Sequence, residues 1–136
     1  MAVTVARRAR HWSPLVVYMF VIFYLSSEPD PLHQLTAHVW DKLLHTTEYA
    51  VLGLLFCRAL RDMGLGWAAA IVLALVATSA YGASDEWHQA FVPTRSSDVH
   101  DWFADTLGGT AGAVAYAVGR SLPHFSLAWR VAWPPD

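Results

Sequence analysis

A single cysteine, Cys57, among 136 residues excludes an internal disulfide. It lies in an apolar run and reads as a packed thiol rather than a reactive one. Charge is scarce too: 15% of residues are charged against 55% hydrophobic, more apolar than an ordinary soluble domain. There is no excess of positive charge, the net being -2, so the basic face that nucleic acid requires is lacking. No internal repeat, low-complexity segment or HExxH metal motif is present. The mean hydropathy is only +0.32. The case for a membrane protein therefore rests on individual segments, not on the average.

Four helical segments can be drawn, at about 12–27, 41–60, 65–83 and 98–118, each near the ~20 residues that a hydrocarbon core requires. The expected fold class is all-α, an integral membrane bundle of four transmembrane helices with a short helical outer loop at 84–97. Asp85-Glu86 is placed to cap a short helix at 85–91. The first segment follows the basic cluster Arg7, Arg8 and Arg10 and has no small-residue cleavage site, so it reads as an uncleaved signal anchor. Pro29 and Pro31 end it, and Gly64 and Gly66 mark the second turn. Residues 1–120 form the expected membrane domain. Residues 121–136, with Pro123, Trp129, Trp133 and Pro134-Pro135, read as an interfacial or disordered cytoplasmic tail.

With four helices, Arg7, Arg8, Arg10, Arg58, Arg61, Arg120 and Arg130 fall on one side and Lys42 and Arg95 on the other. Seven against two is a positive-inside bias. It puts both termini in the cytoplasm and makes the loops 28–40 and 84–97 face outwards. The unusual residues then gather at the outer face. Asp41, His45 and Glu48 fall at i, i+4 and i+7, and Asp98, Asp101 and Asp105 at i, i+3 and i+7, each tracing one helical face. Each stripe covers about 10 Å of axis, so it lines only the outer half. Asp85, Glu86, Gln89 and Arg95 join from the loop. Lys42 beside Asp41 reads as an interfacial ion pair. Gly108-xxx-Gly112 offers a close-approach surface for a neighbouring helix, within the chain or in an oligomer.

These residues also carry a resemblance. Asp41-Lys-x-x-His45-x-x-Glu48-Tyr49-x-x-x-Gly53, then Asp85-Glu86-x-x-Gln89-x-Phe91-Val92-Pro93-x-Arg95, then Asp101-x-x-x-Asp105-x-x-Gly108-x-x-x-Gly112 is similar to the VanZ-like family over about residues 15–118. The resemblance implies a small bacterial integral membrane protein. The family's founding member is associated with reduced susceptibility to the glycopeptide teicoplanin. Two positions depart from the family pattern. Thr94 stands where glycine is usual between the loop proline and arginine, which implies a turn not strictly dependent on a positive φ. Asp105 stands where asparagine is common, which adds a negative charge and makes a cationic ligand easier to hold.

Two functions follow for the site Asp41, His45, Glu48, Asp85, Glu86, Gln89, Arg95, Asp101 and Asp105. The first is an envelope protein whose outward pocket binds a lipid head group, a lipid-linked cell-wall precursor or a lipoglycopeptide. Arg95 would then grip a phosphate or carboxylate. The second is a hydrolase or transferase acting on a lipid-linked phosphate or glycosyl group. In it Asp85, Glu86, Asp101 and Asp105 would hold a divalent metal, and His45, Glu48 and Asp101 are the catalytic candidates. A proton-coupled carrier ranks below both, because the polar groups stop halfway along the helices.

Overall fold

The computed structural model describes residues 2–29 and 38–122, with side chains from Arg8 to Pro29 and from Lys42 to Leu122. These residues form four helices: α1 (Ala2–Ser27), α2 (His38–Asp62), α3 (Trp67–Gln89) and α4 (Val99–Ser121). No strand occurs among the described residues. The tail expected at 121–136 lies almost entirely outside them.

The helices run up-down-up-down. Arg58 meets Arg10 at one end and His88 meets Ser27 at the other, which fixes α1 antiparallel to α2 and parallel to α3. Lys42 meets Asp98 at the start of both α2 and α4, so these two are parallel. They are also the most closely packed pair, because glycine removes the side chain that would hold them apart. A Cβ on Gly108 would collide with the carbonyl of Thr46, one on Gly112 with that of Ala50, and one on Gly53 with that of Gly109. The Gly108-xxx-Gly112 surface is thus filled by α2 of the same chain. Of the two contacts open to it, this is the one within the chain.

The interior is assembled from small and polar residues. Ala70, Ala74, Cys57 and Ala113 are fully buried where α2, α3 and α4 meet, and Leu15, Ile22, Tyr49 and Leu52 close the α1–α2 side. Large apolar groups point outwards instead, including Phe20 (69% exposed), Val72 (59%) and Leu107 (67%). That inversion suits a solvent of lipid chains, against which such groups need no burial. Two segments, Lys42–Asp62 and Trp67–Gln89, are long and apolar enough to cross a membrane.

The separate short helix expected within 84–97 does not form. No proline interrupts the chain between Tyr81 and Gln89, so α3 continues and Asp85 and Glu86 lie in its last turns. The connection is a tight turn in which the amide of Arg95 donates to the carbonyl of Val92 at 3.2 Å. Within it Thr94 has φ 70°, so the turn takes the left-handed region even with threonine in place of glycine. Proline followed by a residue with positive φ is the pattern of a type II turn, where glycine is the unstrained choice. Thr94 therefore sits in a conformation that costs a side-chain-bearing residue about 1–2 kcal/mol.

α1 contains Pro14, which has no amide to donate to the carbonyl of Arg10 four residues back. Arg58 on α2 supplies the replacement, its Nη2 donating to that carbonyl at 3.3 Å.

Candidate functional site

The polar residues collect where α2 and α4 begin and α3 ends. Asp98 caps α4, its carboxylate accepting from the amide of His100 at 2.9 Å. Its own amide donates to Glu86 Oε2 at 2.7 Å, tying the start of α4 to the end of α3. Lys42 Nζ donates to Asp98 Oδ2 at 2.9 Å and also to Asp101 Oδ1. Lys42 thus joins α2 to α4 through two carboxylates. The Lys42 ammonium, helped by the His100 amide and ring, holds the Asp98 carboxyl well below the usual carboxylate range.

One and two turns further in, the groups become buried. His45 Nδ1 lies 2.9 Å from Asp105 Oδ1, with the two side chains 11% and 0% exposed. Glu86 is 5% exposed and projects from α3 towards the same place. One ligand atom each from His45, Glu86 and Asp105 lies within 4.8 Å of the other two. Glu86 Oε1 and Asp105 Oδ2 are buried and accept no hydrogen bond. So is the hydroxyl of Tyr49, which donates none. Buried polar atoms without partners are uncommon and costly, and three of them gather at this centre. Gly82 makes room for it, since a Cβ there would come within 2.9 Å of Asp105 Oδ2.

The other expected site residues divide around this centre. Glu48 is half-buried and within electrostatic reach of His45, Asp85 and Asp105. Asp85 Oδ2 accepts from Gln89 Nε2 at 3.1 Å. Of the four carboxylates read as metal ligands, Glu86 and Asp105 come together with His45. Asp85 instead pairs with Gln89, and Asp101 with Lys42. Arg95, also within electrostatic reach of Glu48, donates through Nε to the carbonyl of Glu28 at 3.2 Å and through Nη2 to that of Leu25 at 3.0 Å. It satisfies the carbonyls that end α1, a favourable place for a cation. The side chain of Asp41 lies outside the described residues.

Sequence reasoning missed the interhelical role of Lys42, the Tyr49 hydroxyl and the clearance at Gly82. Gly82 could have been suspected, being the only glycine inside α3. Beside the polar end runs an apolar groove of about 420 Å³, lined by Val16, Met19, Phe20, Phe23 and Tyr81. Phe23 also packs on the His88 ring at 4.7 Å, so the groove borders the last turns of α3. The opposite end is basic, with Arg58, Arg61 and Arg120 around a smaller cavity of about 200 Å³ that also includes Asp62.

The family model described as VanZ/LLP1 matches residues 7–120. The chain belongs to the VanZ/LLP1 family. No curated protein and no solved structure matches it. In this VanZ/LLP1 protein the match spans all three motifs that converge on the polar centre. Membership, with two helices able to span a bilayer and apolar side chains facing outwards, makes it a membrane protein.

Proposed function

We propose that this VanZ/LLP1 protein lies in the bacterial cytoplasmic membrane with four spans, its polar end outside and both termini inside. There it binds the head group of a lipid-linked cell-wall precursor or a lipoglycopeptide, and so contributes to tolerance of teicoplanin-type antibiotics. The observation that carries this reading is the pair of buried, unpartnered oxygens, Glu86 Oε1 and Asp105 Oδ2. They are acceptors in want of donors, which sugar hydroxyls and amines supply. The neighbouring apolar groove is suited to the lipid chain of the same ligand. This reading does not call on Arg95, which donates to the carbonyls at the end of α1.

The second reading is a hydrolase or transferase acting on a lipid-linked phosphate or glycosyl group. It is favoured by the proximity of His45, Glu86 and Asp105, a set that can hold a metal ion and activate water.

The test is titration of the protein in nanodiscs with a fluorescent polyprenyl-diphosphate-linked disaccharide and with labelled teicoplanin. Saturable binding that weakens at least about tenfold in His45→Ala, the loss of roughly one strong polar contact, is expected. Absence of saturable binding to folded protein for both probes would contradict the first reading, and product formation would promote the second.

A further inference from the structure

We infer that His45, Glu86 and Asp105 form a binding site for one divalent transition-metal cation, of the zinc or manganese class, with each ligand coming from a different helix. The inference deepens the reading of the polar centre given above and rests on the same site.

Two independent observations support it. First, the three ligand atoms already lie within 4.8 Å of one another. A tetrahedral ion with bonds of about 2.0–2.2 Å needs ligands about 3.4 Å apart, so a rotation of the carboxylates closes the set. Second, two of the three side chains carry an oxygen that is buried and accepts nothing, Glu86 Oε1 and Asp105 Oδ2. Neighbouring bases do not answer that demand. Lys42 is committed to Asp98 and Asp101, and Arg95 to the carbonyls of α1.

Charge sets the valence. With His45 neutral, as a metal ligand must be, Glu86 and Asp105 contribute two negative charges that a dication neutralises. Donor type sets the class. Imidazole favours zinc and its neighbours, whereas magnesium and calcium prefer oxygen alone. Three protein ligands leave a coordination position open to water or to a ligand oxygen. Asp105 gives this chain its second charge, where asparagine at the same place would leave one.

The test is the metal content of protein purified in nanodiscs without chelator, followed by chelation and thermal melts with Zn²⁺, Mn²⁺, Mg²⁺ and Ca²⁺. We expect about one retained equivalent of a transition ion, and stabilisation by Zn²⁺ or Mn²⁺ above that by Mg²⁺ or Ca²⁺. Affinity should fall by at least about 10- to 100-fold, the loss that removing even an outer-shell partner brings, in His45→Ala and in Asp105→Asn, and stay unchanged in the exposed Ser84→Ala. Asp105→Asn keeps the side-chain shape, so it serves even if the alanine variant unfolds. Metal-free protein that none of the four ions stabilises overturns the site. So does an ion held equally well by both ligand variants. Metal binding without binding of the lipid-linked disaccharide supports the site while removing the functional reading. Binding of the disaccharide to protein that takes up no metal does the reverse.

Discussion

The guanidinium of Arg58 donates to the carbonyl of Arg10, the oxygen that Pro14 leaves without its helical amide. Arg58 is only 4% exposed. A proline inside a helix is tolerated when a neighbouring helix satisfies the freed group, and here a buried cation does so. The two residues are therefore predicted to be energetically coupled. Arg58→Met should cost about 1 kcal/mol more in the wild-type chain than in a Pro14→Ala background, where the amide is restored. A double-mutant cycle on detergent-unfolding free energies measures this, and simple additivity would remove the link.

Gly112 rests on the backbone of Ala50, and Gly108 on that of Thr46. Either Gly→Ala change should destabilise the bundle by about 1–3 kcal/mol, because the methyl must push two helices apart. Gly66→Ala, where a Cβ meets nothing within 4 Å and only the preference for glycine at the start of α3 is lost, is the control and should cost less than about 1 kcal/mol. Equal melts for Gly112→Ala and Gly66→Ala would show that the α2–α4 contact is looser than described.

Thr94→Gly is predicted to stabilise the protein by roughly 1 kcal/mol, through relief of the positive φ. The readout is a higher melting temperature with undiminished ligand binding. A lower melting temperature would mean that the threonine side chain contributes more than its backbone costs.

The pH dependence follows from Asp98. Its carboxyl is more acidic when folded than when unfolded, chiefly through Lys42. Its stabilising contribution is therefore fully present above the ordinary aspartate value of about 3.9 and is lost as pH falls from there towards the lower folded value. The gap in melting temperature between wild type and Asp98→Asn should be fully present above about pH 5 and shrink below about pH 4. A gap that does not change with pH would show that Lys42 is not the partner.

Much of this arrangement was legible in sequence because it depends on period. Spacings of three, four and seven place His45 with Glu48 and Asp101 with Asp105 on single faces, and a glycine pair one turn apart marks close approach. The existence of four helices followed the same way. What escaped depends on partners remote in sequence. Nothing local distinguishes an Arg95 that grips lipid phosphate from one that grips the carbonyls of Leu25 and Glu28. Nor does Lys42 announce a partner 56 residues away rather than its neighbour Asp41. The course of α3 through Asp85 and Glu86 was obscured by polarity, since charged residues near a membrane read as loop even where the backbone continues as helix. The φ of Thr94 was not readable, because a sequence names the residue and not the backbone conformation it adopts.

The most direct test of the account asks whether the buried polar centre serves a ligand or the fold. Glu86→Gln preserves shape and an acceptor for the Asp98 amide while removing a buried charge. Melting temperature and binding of the lipid-linked disaccharide should be measured on the same nanodisc preparation, stripped of metal with chelator so that no bound ion contributes to the melt. The account predicts an unchanged or higher melting temperature, as relief of a buried charge allows, together with binding weakened at least about tenfold. A lower melting temperature with undiminished binding would contradict it, and would make Glu86, His45 and Asp105 part of the scaffold.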